Sequence, residues 1–208
     1  MNFFGHAVVA AMADADEHHL LGSMLPDFEA MLRVPLITVR DPDVRRGIDL
    51  HHRTDDAFHR SPVFVEIGAG ALSALTAAGV RRGTARAVGH IGTEMFLDGW
   101  LARDQAHVDL YLAALGVELG ERLHWGDAGL AFATLRRRLT TWGAPRDYAE
   151  PGFVLQRLTD ALARRPALAV LDEESARVAD FLPFLQERVE KDAPELLHRV
   201  QDALGLRD

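Results

Sequence analysis

An all-α fold is predicted by three features of the sequence. Apolar residues recur at three- and four-residue spacing, Asp, Ser, Pro and Gly fall where helices start and stop, and the alternating β-branched runs that mark strands and hairpins are nearly absent. One domain is expected, since 208 residues with 48% hydrophobic content can close one sizeable core.

The first helix is expected over residues 3–12 and the second over 18–33, with Pro26 bending or interrupting it because proline lacks the N–H and crowds the preceding turn. Residues 34–40 read as an extended connector. Asp41-Pro42 supplies an N-cap and a first-turn proline for a third helix reaching residue 60, and Ser61-Pro62 opens the next. Further helices are expected over 63–79, 84–102, 105–122 and 127–142, with Gly79, Gly83, Gly126 and Gly143 near their ends. Residues 144–151 read as a lobe boundary. Before it, 1–145 form the expected metal-site core. After it, 146–208 are rich in Arg, Glu and Leu, poor in His, and expected to support. Trp125 and Trp142 are expected in the core.

Composition narrows the function. The apolar stretches 7–13 and 130–135 fall well short of the roughly 18 residues of a membrane span. Residues 1–6 carry no Lys or Arg ahead of an apolar run, so no secretory signal is expected, and a cytoplasmic protein with no membrane partner is the default. A net charge of −8 argues against nucleic acid, whose binding depends on Lys and Arg neutralising phosphates. Arg45-Arg46, Arg81-Arg82 and Arg136-Arg137-Arg138 are basic runs of the kind that dock an acidic partner or, more commonly, form a solvated helix face. With no cysteine, any metal must be held by nitrogen and oxygen ligands.

Histidines and carboxylates supply such ligands. His51, Asp55 and His59 recur every four residues and share one helix face, a spacing that lets neighbouring side chains converge on one ion; the competing reading is a solvated polar helix. His90 and Glu94 repeat the spacing among Val88, Ile91, Met95, Phe96, Leu97 and Trp100, in a helix apolar on several faces. A buried imidazole–carboxylate pair there needs hydrogen bonds, a countercharge or a metal. His6 and Asp27 stand alone in apolar surroundings, where such residues are usually structural.

Taken in order, four segments resemble the acyl carrier protein phosphodiesterase family. Asn2-Phe3-x-x-His6 matches its Asn-Phe-x-x-His. Gly22-Ser23-x-x-x-Asp27-Phe28 stands for Gly-Asn-x-x-x-Asp-Phe, and Gly47-Ile48-Asp49-Leu50-His51-His52-Arg53-Thr54-Asp55 for Gly-Ile-x-Leu-His-Arg-x-x-Asp. The family's Asp-x-x-x-Asp-His-Phe-Leu, closed by tryptophan, corresponds to His90-Ile-Gly-Thr-Glu94-Met95-Phe96-Leu97 before Trp100. Both aspartates of that last motif are exchanged for His90 and Glu94, its histidine for Met95, and the arginine after His51 is displaced to Arg53. The match covers the first half of the chain.

The resemblance implies an HD-domain-like helical bundle and a manganese-dependent hydrolase that releases 4′-phosphopantetheine from a serine of acyl carrier protein. From the residues alone, His and carboxylate ligation suits manganese, iron or zinc without choosing among them. Combining both, His6, Asp27, His51, Asp55, His90 and Glu94 are expected to line one cavity, some binding the ion and the rest orienting ligands. Arg53 is expected to clamp phosphate, and His52 or His59 to protonate the leaving group. Acyl carrier proteins are strongly acidic, so the net negative charge favours a small phosphoester unless Arg45, Arg46, Arg81 and Arg82 make a local positive patch. The remaining expectation is a non-catalytic helical binding protein that kept the fold.

Overall fold

The computed structural model describes residues 1–206, and the chain is all-helical, as its periodicity predicts. In order come α1 (Phe3–Ala13), α2 (Glu17–Leu32), the short strand β1 (Thr38–Val39), α3 (Pro42–Arg60), α4 (Pro62–Ala77), α5 (Arg82–Leu101) and α6 (Gln105–Gly116). They are followed by β2 (Leu123–His124), α7 (Gly129–Trp142), α8 (Pro151–Leu162) and α9 (Asp172–Leu204). No helix among the described residues is long and apolar enough to cross a membrane.

Short polar side chains start several of these helices by accepting from orphan backbone N–H groups. Asp16 accepts from His18 and His19. Asp41, the expected cap of α3, accepts from Asp43 and Val44. Asp104 accepts from Ala106.

Three expectations change. Pro26 does not interrupt α2, which runs continuously past it; the buried Met24, Leu25 and Phe28 on either side hold the helix as one packed element. The helices expected over 105–122 and 127–142 are shorter: α6 ends at Gly116, Gly120–Arg122 and Gly126–Ala128 are single 3-10 turns, and Leu123–His124 between them pair with β1, Thr38 opposite His124 and Val39 opposite Leu123. Trp142 is 62% exposed rather than buried, and Arg138 lies over its ring at 4.8 Å. Trp125 is buried and stacks on Phe132 at 4.7 Å.

The chain clusters into two compact units. The first comprises Met1–Ala57, Leu101–Pro145 and Gln201–Asp208, the second Phe58–Trp100 and Arg146–Val200. The chain passes between units at Pro145 and Arg146, inside the segment read as a lobe boundary, while residues 58–100 cluster with 146–200.

In the first unit α1, α2, α6 and α7 pack around Phe4, Phe28, Tyr111 and Phe132. Phe4 meets Tyr111 edge-on at 5.2 Å, and Phe28 lies 6.3 Å from Phe132. Each such ring contributes on the order of 1.5–3 kcal/mol by leaving water. The glycines of two motifs bring α2 and α3 together: a Cβ on Gly22 would lie 2.2 Å from the Val44 carbonyl oxygen, and one on Gly47 2.1 Å from that of His19. No other residue permits so close a backbone approach.

In the second unit α5 is buried on nearly every face between Gly92 and Gly99, against Leu158, Leu182 and Leu185 among others. Arg81, just before α5, ties down the start of α9. It donates from Nε and from its backbone N–H to Glu174 Oε1 and from a terminal nitrogen to Oε2, while Leu171 N–H also donates to Glu174.

Candidate metal centres

The glycine-mediated crossing of α2 and α3 decides the geometry of the first site. It brings the His51 side chain against the α2 backbone, where Nδ1 lies 2.8 Å from the Ser23 carbonyl oxygen. A carbonyl only accepts, so Nδ1 carries the proton and Nε2 presents its lone pair. His6, from α1, stacks on His51 with ring centroids 3.7 Å apart. Asp27, one turn beyond Ser23, completes a group in which one donor atom from each of His6, Asp27 and His51 lies within 4.8 Å of the others.

Asp55 flanks this group one helical turn after His51. Its Oδ1 is 3.2 Å from His6 Nε2 and 3.0 Å from the Met1 amine, and its Oδ2 is 4.0 Å from His51 Nε2. Burial alone would raise the Asp55 carboxyl, but the His6 contact and the Met1 amine hold it well below the usual carboxylate range. Burial holds His6 down to about 3, partly offset by Asp55 and reinforced by His51. Burial likewise lowers His51, against the Ser23 carbonyl. Both imidazoles are therefore neutral near pH 7, the form that ligates a metal.

The donor set fits a divalent cation. His6 is 1% exposed; its Nδ1 completes no hydrogen bond, and its Nε2 has the 3.2 Å contact with Asp55 Oδ1. Leaving such a buried polar group unsatisfied costs about 1–3 kcal/mol, a cost that coordination removes.

The second group lies in the second unit. His59 at the end of α3 and His90 on α5 each place Nε2 3.3 Å from Oε1 of Glu94. Their rings stack at 4.9 Å, and Phe64 stands 5.3 Å from His59 and 5.1 Å from His90. Burial would raise Glu94, yet His59 and His90 hold it well below the usual carboxylate range. Asp98, one turn further along α5, is fully buried and belongs to neither group.

The six expected ligands are thus divided. His6, Asp27, His51 and Asp55 assemble in the first unit, His90 and Glu94 in the second, where His59 lies close enough to share an ion with them. His59 was expected as a proton donor; the two short contacts to Glu94 are the signal that its spacing from His51 concealed.

The remaining expected catalytic residues lie outside the ligand groups. His52 is exposed, with its ring edge-on to His51 at 5.4 Å. Arg53 donates to the Leu204 carbonyl at 3.1 Å, where a guanidinium satisfies a helix C-terminus. Of the basic runs, Arg46 pairs with Asp14 and Asp43, Arg45 donates to the Val39 carbonyl, and Arg81 is committed to Glu174.

No family model matches this chain, and no curated protein or solved structure matches it either.

Proposed function

We propose that this chain is a divalent-metal-dependent phosphoester hydrolase whose ion is held by His6, Asp27 and His51, with Asp55 as flanking carboxylate. The observation that carries this reading is the His51–Ser23 bond, which fixes the imidazole tautomer and leaves the Nε2 lone pair free, in a residue grouped with His6 and Asp27 within ligand reach. When bound there, the ion supplies Lewis acidity toward a phosphoryl oxygen and lowers the pKa of water, the chemistry that phosphoester hydrolysis needs at neutral pH. The chain's own part is to keep both imidazoles neutral by burial, to hold Asp55 ionised, and to fix His51 through the α2 backbone. His52, exposed beside His51, is placed to move a proton to a leaving group.

The four motif segments support a phosphodiester specifically, and 4′-phosphopantetheine release from acyl carrier protein as its best-motivated form, with manganese as the ion. Iron and zinc suit the same ligands. A second reading, a small phosphoester as substrate, is favoured by one observation: Arg46 and Arg81 are neutralised by carboxylates of their own units, which weakens the positive surface an acidic carrier protein would require.

The test is metal content and hydrolysis measured together. Protein loaded with manganese should hydrolyse holo acyl carrier protein or a small aryl phosphodiester, and His51→Ala should lose both the first-unit ion and the activity. Metal-replete protein inactive on both substrates would leave a helical metal-binding protein.

A further inference from the structure

We propose that His59, His90 and Glu94 form an ion site of their own in the second unit, and that the cavity beside it receives an oxyanion bearing a short apolar group. This inference does not depend on the first-unit site.

The ligand spacing carries the first part. Ligands bound at about 2.0–2.1 Å to a tetrahedral ion lie about 3.3–3.4 Å apart. Nε2 of His59 and Nε2 of His90 each stand 3.3 Å from Glu94 Oε1. A carboxylate oxygen can accept from both imidazoles, and one donor atom from each of His59, His90 and Glu94 lies within 4.8 Å of the others, close enough for the three to converge on one cation. Three protein ligands with an open side describe a site that exchanges a further ligand. The side chains of His59 and His90 are 33% and 45% exposed, while that of Glu94 is 11% exposed.

The cavity carries the second part. It has a volume of about 200 Å3 and is lined by Phe64, Gly68, Ala69, Leu72, Arg86 and His90. Phe64, Gly68 and Leu72 recur every four residues along one face of α4, and Gly68 leaves open space where a side chain would project. That wall is apolar. Arg86 and His90, one turn apart on α5, supply the polar wall. Arg86 makes no hydrogen bond or ion pair among the described residues, so its guanidinium is available for a phosphate or carboxylate. An ion at His90 and the Arg86 charge would grip one oxyanion, and the α4 face would cover a group of a few carbons.

Titration with Co2+ followed by its visible absorption, with stoichiometry from equilibrium dialysis, tests the ion site. Expected are two ions per wild-type chain and one fewer in both His90→Ala and Glu94→Gln, with the second-unit ion retained in His51→Ala. Glu94→Gln keeps the side-chain shape, so a His90→Ala variant that fails to fold leaves the test intact. Unchanged stoichiometry in folded Glu94→Gln overturns the site. Full stoichiometry in His51→Ala together with loss in Glu94→Gln would instead sink the first-unit reading and uphold this one. For the cavity the probes are butyl phosphate and inorganic phosphate on the metal-loaded protein. Butyl phosphate should bind about ten-fold tighter or more, with the advantage lost in Gly68→Leu and both probes weakened in Arg86→Ala. Equal affinity for the two probes in the wild type overturns the assignment of the cavity.

Discussion

Nδ1 of His51 lies 2.8 Å from the Ser23 carbonyl oxygen, so one backbone group of α2 sets both the tautomer and the direction of an imidazole on α3. That bond exists because Gly22 and Gly47 let the two backbones meet. Gly47→Ala would drive a Cβ to 2.1 Å from the His19 carbonyl oxygen, where neither backbone can yield cheaply. The expected loss is about 1–3 kcal/mol or more of stability by urea denaturation. First-unit manganese affinity should fall as well, because His51 moves with its helix. A variant with wild-type stability and affinity would show that the crossing is not what positions the ligand.

On the proposed reading, an ion held by His6, Asp27 and His51 binds the folded chain, whose donors are assembled, and not the unfolded one. At a free manganese concentration of about 100 times Kd it should add about 2.7 kcal/mol to stability, and a chelator should remove that gain. Thermal melts with and without manganese check this, with His51→Ala expected to lose the part of the response that the first-unit ion supplies. An equal response in wild type and variant would locate the bound ion elsewhere.

Arg53→Ala separates two roles for one guanidinium. Its bond to the Leu204 carbonyl predicts a stability loss of about 1 kcal/mol at unchanged metal stoichiometry. A large rise in KM without a stability change would instead restore the phosphate clamp suggested by its place after His51 and His52.

The fold was legible in the sequence wherever the signal was local. Apolar periodicity, the Asp41 cap and the Ser61-Pro62 junction place their helices to within a few residues. The β1–β2 pair was not legible, because two-residue strands carry too little alternation to register and gain their reason only when residues 122–124 meet 38–40. The site was legible as residue types and in part as groups. Four-residue spacing identifies His51 with Asp55 and His90 with Glu94. It also puts His59 on the His51 face, although the chain changes unit between Ala57 and Phe58, and His59 meets Glu94 instead. Ligands from different helices are joined by packing, and no helical period encodes that. The Ser23 carbonyl is a backbone atom, so no residue-type pattern could single it out.

The Arg81–Glu174 pair gives the clearest pH dependence. Burial alone would raise the Glu174 carboxyl, but the Arg81 guanidinium, the Arg81 backbone N–H and the Leu171 N–H together bring it from 4.5 to about 2. A carboxyl depressed in the folded state binds fewer protons there than when unfolded, so its contribution is complete above about pH 4.5 and declines as pH falls toward 2. A shift of this size corresponds to at most about 3 kcal/mol. Other carboxylates titrate in the same window, so the informative quantity is the stability of wild type minus that of Glu174→Gln, which cannot ionise. That difference should be a few kcal/mol near pH 7, stay level down to about pH 5, and shrink steadily below it. Urea denaturation at several pH values measures it directly. A difference independent of pH would mean that Glu174 acts through hydrogen-bond shape alone, and that its charge contributes nothing to holding α9 against the start of α5.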